Sequence, residues 1–375
     1  MSEILKEHLG YVSDAGRTEL FKTAVMNAVR PGDHVVDLGC GSGVLGLLCL
    51  HAGAGRVTAI DSTPALEIAR ESLTRAGWGP KVDFIHGYST QVELAFKADV
   101  VICDNVGYFG FDYRLIQTLA DARRRFLKPG GRLIPSRLRL LLGVVESEKC
   151  WRLADGWQAS GIPAEYQWLR RYGVNTKHAV NLAAVDVLAG PVELACVDLH
   201  ADNPDFYSWT AELTMARDGL MHGLAGWFEC ELVEGVWMTN SPTSAQAIKR
   251  QQAFLPIELP LPVKAGDVVS ATVMARPVDS LTAWEVRHPA SGKTFRQSTW
   301  QGDLLMHDHL FKSSPDYVPQ LTRLAHARQF VLGSCDGHRT VRQIQEKVLL
   351  EYSNLFPSPS EITRFVMTTL GKNTA

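Results

Sequence analysis

The chain has 375 residues, a length that predicts two or three domains rather than one. Its 46% hydrophobic and 21% charged residues are typical of a globular protein, and its formal net charge of −2 argues against nucleic acid as the main partner. The seven scattered cysteines form no Cys-x-x-Cys pair, and no apolar stretch is long enough to cross a bilayer. We therefore expect a reduced, cytoplasmic protein without a structural zinc site, a disulfide framework or a membrane segment.

The first third of the chain predicts alternating helices and strands. A helix is expected over residues 17–30. It is followed by strands at 34–38, 56–60, 81–85, 98–103 and 132–135, and by helices at 44–52, 64–76 and 113–127. Such alternation predicts a parallel sheet covered by helices. We assign residues 1–135 to this domain.

The pattern changes after residue 135. Residues 136–305 contain many short β-like runs separated by turn residues, which predict an antiparallel barrel or sandwich. The last segment, 306–375, has helical patterns again and is expected to form a small third domain.

The stretch Val35–Gly43 predicts a ligand-binding turn between a strand and a helix. The strand ends at an acidic residue, Asp37, and the turn contains Gly39, Gly41 and Gly43. Glycines let the backbone turn tightly and lie close to a ligand. Asp61 ends the next strand about 20 residues later, where folds of this kind bind ribose hydroxyls.

Three interpretations of this turn are open: a dinucleotide site, a site for S-adenosylmethionine (SAM), and a turn with a purely structural role. Asp37 would repel a pyrophosphate, whereas its carboxylate suits the cationic amino-acid part of SAM. We therefore favour SAM as the cofactor.

Together with this turn, four further segments carry a family resemblance. They are Asp14-Ala15-Gly16-Arg17-Thr18, the loop Cys103–Asp112, the pair Thr239–Pro242 and Gln251–Phe254, and Val263–Asp267. The chain resembles the protein arginine methyltransferases, which are class I SAM-dependent methyltransferases, over roughly residues 8–305. The resemblance implies an α/β Rossmann-like methyltransferase sheet followed by an antiparallel β-barrel. Family members commonly dimerise through an arm in the barrel, so a homodimer is left open.

The resemblance also implies roles for individual residues. Arg17 would bind the SAM carboxylate, with a surface ion pair as the alternative, and Asp104 and Asp112 stand for the family's two acceptor-binding glutamates. The alternatives are a turn cap at the strand end for Asp104 and an N-cap of the following helix for Asp112. The aromatic residues of the same loop make Tyr108 a candidate wall of the acceptor pocket, with plain packing as the alternative. Aligned without a gap, the second glutamate falls on Tyr113. The complete predicted cofactor set is Arg17, Asp37, Gly39, Gly41, Gly43, Asp61, Ser62, Ser89 and Thr90.

The chain departs from the family at two points of this site. Thr90 replaces the glutamate that accepts a hydrogen bond from the adenine amino group. The barrel triplet Thr-His-Trp reads Ala247-Ile248-Lys249, so the family's active-site histidine is missing.

The turn Asp336–Val341 resembles that of PqqD-like winged-helix modules, which bind leader peptides by strand addition. A packing or dimerisation domain is the alternative. His307-Asp308-His309 lacks a third ligand, so we predict no metal site.

We expect a SAM-dependent methyltransferase that N-methylates a guanidino or amino group of a peptide or small natural product, with neither nucleic acid nor a membrane as a partner. Two alternatives stay open: O-methylation of a hydroxyl or carboxylate, and a non-catalytic protein that uses a SAM fold for binding.

Overall fold

The structure is a computed structural model that describes residues 3–371 and 373–374. The chain divides into two compact units, Met1–Asp303 and Leu304–Ala375. Among the residues described, every helix is too short or too polar to cross a membrane.

The first part of unit 1 is a parallel sheet with helices. Its helices are α1 (Glu3–Ser13), α2 (Ala15–Ala28), α3 (Val44–His51), α4 (Ala65–Arg75) and α5 (Leu115–Arg125). Its strands are β1 (His34–Leu38), β2 (Arg56–Asp61), β3 (Val82–His86), β4 (Ala98–Cys103) and β5 (Leu127–Ile134). They pair in the order β3-β2-β1-β4-β5, all parallel. The central strand β1 is buried along almost its whole length, as expected for a parallel sheet that helices cover on both faces.

β5 begins at Leu127, before the start of the strand predicted at 132–135. Ala98 pairs with Leu127, but Val100 pairs with Arg132, so the register shifts between them. The Pro129-Gly130-Gly131 run is therefore a bulge inside the strand rather than a turn before it.

Two antiparallel sheets follow, as the β-like runs predicted. Their strands are β6 (Arg137–Val145), β7 (His178–Val180), β8 (Val187–Asp198), β9 (Tyr207–Thr214), β10 (Gly219–Val233), β11 (Val236–Thr239), β12 (Gln252–Val263), β13 (Val268–Arg276), β14 (Leu281–His288) and β15 (Lys293–Ser298). One sheet has the order β7-β12-β10-β6-β8 with β11 beside β10, and the other has the order β15-β14-β13-β9. Two helices, α6 (Glu148–Asp155) and α7 (Arg170–Gly173), lie between β6 and β7.

The sequence patterns did not predict β12 as a strand. Its prolines Pro256, Pro260 and Pro262 are residues that normally indicate a break. They are tolerated because β7 pairs only with Gln252–Phe254, so the prolines interrupt no pairing on that side.

The loop after β4 is anchored in the second part of unit 1. Phe109 is fully buried, and an added Cβ on Gly226 of β10 would lie 2.3 Å from its ring. The parallel sheet and the first antiparallel sheet also share one continuous hydrophobic core. The position of this loop is therefore set by the antiparallel sheet as well as by β4.

Unit 2 consists of α8 (His307–Lys312), α9 (Arg323–Gly333), α10 (Val341–Tyr352) and α11 (Pro359–Leu370). Its small core is formed by Val331, Ile344, Val348, Ile362 and Val366. Thr340 and Gln343 form a reciprocal capping box at the start of α10. Within the described part of this unit there is no strand that could accept a peptide by strand addition, so the PqqD resemblance stays a prediction.

We predict that Gly226→Ala lowers the free energy of unfolding by about 1–3 kcal/mol, because the new methyl group would overlap the buried Phe109 ring. Chemical denaturation measures the change. Gly156→Ala is the matched control, since its Cβ meets nothing within 4 Å. Equal stability of the two variants would contradict the packing described for the loop.

Candidate active site

A cavity of roughly 640 Å³ opens at the carboxyl ends of β1, β2 and β4. This volume lies in the range of small-molecule sites, and the carboxyl end of a parallel sheet is where such folds bind ligands. The cavity is lined by residues of α1 and α2, the glycine turn, the end of β2, residues 87–90, Asp104, Asn105 and the segment before and within α5.

The glycine turn gives the cavity its floor. Gly39 and Gly41 have φ values of 64° and 53°, which disfavour residues with a side chain. An added Cβ on Gly41 would lie 2.5 Å from the His8 ring, and one on Gly39 would lie 2.5 Å from the Asn105 amide. Both glycines therefore leave room for neighbouring side chains at the cavity.

Gly43 and Asp37 do not line the cavity, although both belong to the predicted cofactor set. Their contacts are with the protein itself. A Cβ on Gly43 would lie 2.8 Å from Ala69, so Gly43 allows α4 to pack closely. Asp37 is fully buried, and its Oδ2 accepts a hydrogen bond of 2.8 Å from the Gly46 N–H, while its Oδ1 has no partner. Burial raises the pKa of Asp37 to about 7.

Asp61 lies at the cavity with its carboxylate held by the chain. Its Oδ2 accepts a 2.8 Å hydrogen bond from the Gly41 N–H. Its Oδ1 accepts 2.7 Å hydrogen bonds from the N–H and the hydroxyl of Thr63. Because these bonds fix its orientation, Asp61 presents an acceptor at a defined place. The predicted residues Ser62, Ser89 and Thr90 also line the cavity.

Asp104 lies at the tip of β4 between two arginines. The Nε of Arg17 donates to its Oδ2. Arg250, from the segment before β12, donates from Nη2 to Oδ2 at 3.2 Å and from Nη1 to Oδ1 at 3.4 Å. The side chains of Arg17, Asp104 and Arg250 are only 7%, 10% and 13% exposed. The structure thus brings the predicted residues Arg17 and Asp104 together and adds Arg250.

Asp112 and Tyr108 do not line the cavity. Asp112 is buried, and its Oδ2 accepts hydrogen bonds from the N–H groups of Tyr108 at 3.0 Å and Phe109 at 2.6 Å. Its Oδ1 accepts a hydrogen bond from Lys177. These bonds close the loop on itself, so they give Asp112 a structural role. These hydrogen bonds do not favour the predicted role of Asp112 in binding an acceptor, which stays a prediction.

Tyr113 lines the cavity where the ungapped comparison placed the second acid. Tyr113 and Arg114 have φ values of 52° and 60°, a region rarely occupied by residues with a side chain. Strained backbone of this kind concentrates at functional sites. The loop therefore turns Tyr113, rather than Asp112, toward the ligand space.

Hydrogen bonds between backbone groups and side chains link the barrel segment to the first domain. The Lys249 N–H donates to Asp14 Oδ2 at 3.3 Å, while Asp14 Oδ1 accepts from the Arg17 N–H at 3.2 Å. Asn240 is fully buried and donates to the carbonyls of Tyr108 at 2.8 Å and Gln251 at 2.6 Å. Arg250 and Asn240 were not predicted as site residues, although both lie within or beside the barrel segments quoted above.

The lining residues fit SAM. Asp61 is an oriented acceptor for hydroxyl groups, Arg17 is a cation for a carboxylate, and the serine and threonine of residues 89–90 offer neutral polar groups. Because Gly41 has no Cβ, the His8 ring can lie directly against the glycine turn, so the turn is open to close contact with a bound group. In the described part of the chain, no cluster of three histidine, cysteine or acidic residues could hold a metal ion.

Comparison with known proteins agrees with this geometry. Residues 35–131 match the family model of a methyltransferase domain. A probable protein arginine N-methyltransferase 6 of Arabidopsis thaliana is 29% identical over 236 residues, which cover 60% of this chain and 54% of that protein. The histone-arginine methyltransferase CARMER of Drosophila yakuba is 27% identical over 288 residues, which cover 72% of this chain and 54% of that protein. The chain thus spans about half the length of these curated relatives.

Solved structures show the same fold. The PRMT1 enzyme–prozyme heterotetrameric complex of Trypanosoma brucei with AdoHcy superposes with a TM-score of 0.70 at 18% identity, covering 78% of this chain and 96% of that one. Protein arginine methyltransferase 10 of Arabidopsis thaliana gives a TM-score of 0.68 at 20% identity, covering 78% of this chain and 97% of that one.

We predict that Asp61→Asn weakens SAM binding by about tenfold to a hundredfold, because a charged hydrogen-bond acceptor at the cavity becomes neutral. Isothermal titration calorimetry measures the affinity. Asp83→Asn is the matched control, since Asp83 lies on the neighbouring strand β3, outside the cavity lining. Wild-type affinity in Asp61→Asn would place the cofactor elsewhere.

The glycine turn, the oriented acid of β2 and the comparisons agree: residues 35–131 are a methyltransferase domain whose implied cofactor is SAM, and the chain is similar in sequence and in fold to protein arginine methyltransferases.

Proposed function

We propose that the chain is a SAM-dependent methyltransferase that methylates a guanidino or amino nitrogen of a peptide or small natural product. The observation that carries the proposal is Asp104, a buried carboxylate that lines the cavity and already binds guanidinium groups. A carboxylate that binds the guanidinium of Arg250 has the chemistry to bind that of an acceptor.

The named relatives support the same class of acceptor, since their names describe them as arginine methyltransferases. Bound SAM would supply an activated methyl group. The residues of the chain have the remaining tasks, which are to bind the acceptor, to orient its nitrogen and to receive a proton. Asp104 is the carboxylate at the cavity that is placed for these tasks.

A hydroxyl or carboxylate acceptor is the second candidate, and Tyr113 favours it. The cavity has a neutral phenol where the family has its second glutamate, and the Asp112 carboxylate is bound to Lys177. A site in which the loop between β4 and α5 presents one acid to the cavity holds a guanidinium less firmly than a site in which that loop presents two.

The setting and the partners follow from the same proposal. All seven cysteines are unpaired, which supports a reducing, cytoplasmic location. We infer peptide or small-molecule acceptors rather than nucleic acid, in keeping with the net charge of −2.

We further infer a homodimer formed through residues 148–173, the helical segment between β6 and β7. Three of its aromatic residues are exposed: Trp157 at 39%, Tyr166 at 55% and Trp168 at 54%. Exposed aromatic side chains grouped in one segment are typical of a protein interface. The segment lies in the barrel part, where the resemblance places a dimerisation arm.

We predict that Asp104→Asn lowers turnover by at least about a hundredfold while SAM still binds, because the amide cannot accept the acceptor's proton. Mass spectrometry of methylated peptide and small-molecule acceptors measures turnover, and calorimetry measures SAM binding. Glu193→Gln, an exposed acid on β8 that pairs with Arg139, is the control. Full activity in Asp104→Asn would remove this carboxylate from the reaction.

We predict that replacing Tyr166 and Trp168 together by alanine shifts the protein from dimer to monomer at micromolar concentration, because apolar contact area is lost. Sedimentation analysis measures the shift. Trp300→Ala, which removes an equally exposed tryptophan outside the segment, should leave the dimer intact. A wild-type protein that sediments as a monomer would contradict the inference.

A further inference from the structure

Arg250 is a buried cation that shares its counter-ion. Both of its terminal nitrogens contact Asp104, at 3.2 Å and 3.4 Å, and Arg17 binds the same carboxylate. Two guanidinium groups and one carboxylate therefore form a cluster with a net positive charge at the inner end of the cavity. Buried charges are stable only when they are compensated.

An acceptor guanidinium would compete with Arg250 for the oxygens of Asp104. The contacts of Arg250 with Asp104, at 3.2 Å and 3.4 Å, are long for hydrogen bonds between charged groups. We therefore expect Arg250 to be the group that yields.

The backbone that carries Arg250 is fixed by hydrogen bonds. Its own carbonyl accepts a 3.1 Å hydrogen bond from Gln252 Nε2, and the next carbonyl, of Gln251, accepts one of 2.6 Å from Asn240. The backbone at this position is thus held by buried side chains on both sides of the barrel segment. Displacement would therefore remove the Asp104 counter-ion of Arg250 while the Arg250 backbone stays in place.

The neighbouring acids are largely occupied. Asp112 is bound to Lys177 and to two backbone N–H groups. Asp14 receives the N–H groups of Arg17 and Lys249. Three acids line the cavity among the described residues: Glu7, Asp61 and Asp104. Glu7 accepts a 3.3 Å hydrogen bond from the Tyr11 hydroxyl and is the one of the three that could compete for a displaced Arg250.

We propose that Arg250 makes the site selective for acceptors in which a carboxylate lies next to the guanidino or amino group that receives the methyl. Such an acceptor supplies the displaced Arg250 with a new counter-ion, whereas an acceptor with neutral or basic neighbours does not. The inference rests on the proposed function and names its substrate class.

The test uses the full chain and two short peptides. In one peptide a single arginine is flanked by two aspartates, and in the other by two asparagines of the same shape. Binding is measured by calorimetry with S-adenosylhomocysteine present, and methylation is measured by mass spectrometry with SAM. The variants are wild type, Arg250→Gln and Arg250→Lys, and each is checked by thermal melting and by its affinity for SAM.

We expect the wild type to bind the aspartate peptide at least about tenfold more tightly than the asparagine peptide, a change that one ion pair can produce. In Arg250→Gln the preference should disappear, because the asparagine peptide gains access to Asp104. Arg250→Lys keeps the charge and should keep the preference.

Equal binding of the two peptides by the wild type would overturn the inference, and so would a preference that survives in Arg250→Gln. If Arg250→Gln fails to fold, the wild-type comparison decides alone. Failure of every variant to bind or methylate either peptide, with SAM affinity intact, would instead overturn the proposed acceptor and this inference with it.

Discussion

The charge balance around Asp104 is the constraint on which the site depends. A carboxylate that is 10% exposed needs a counter-ion, and here it has two, from different parts of the chain. Arg17 comes from α2, and Arg250 comes from the segment that leads into β12. The carboxylate therefore links the methyltransferase domain to the barrel, and the inner end of the cavity is complete only when both parts are folded together.

A second link positions the loop between β4 and α5. Asn240 binds the Tyr108 carbonyl from the barrel side, and Phe109 fills the space left by Gly226. Asp112 closes the loop by accepting two of its N–H groups. These contacts fix the loop along its length. The loop then leads into α5 through Tyr113 and Arg114, which have left-handed backbone conformations and line the cavity. The backbone strain at these residues is maintained by the contacts around them.

Seven of the nine residues predicted to bind the cofactor line the cavity, because this part of the site is encoded locally. Glycines at fixed spacing and an acid at the tip of β2 have their effect within one strand–turn–helix unit. The acceptor half was not predictable in the same way. The partners of Asp104 and Asp112 are Arg250 and Lys177, which lie 146 and 65 residues away in sequence. The sequence does not show whether an aspartate in a loop binds a ligand or a lysine of the same chain, and only the fold distinguishes the two. The strand β12 was missed for a related reason, since the tolerance for its prolines depends on which neighbours it pairs with.

The two halves also differ in how far they depart from the arginine methyltransferase pattern. The donor side keeps the glycine turn, Asp61 and Arg17 and departs from the pattern at Thr90. On the acceptor side the barrel triplet lacks the histidine, and a tyrosine lies at the cavity where the ungapped comparison places the second acid. The loss of the histidine does not open the junction between the domains. Ile248 is buried at that position, and the Lys249 N–H donates to Asp14, whose other oxygen caps α2 just before Arg17. Because the donor is a backbone N–H, this hydrogen bond does not depend on which side chain stands at position 249. The backbone contacts of the barrel segment therefore hold Arg250, two residues beyond Ile248, within reach of Asp104.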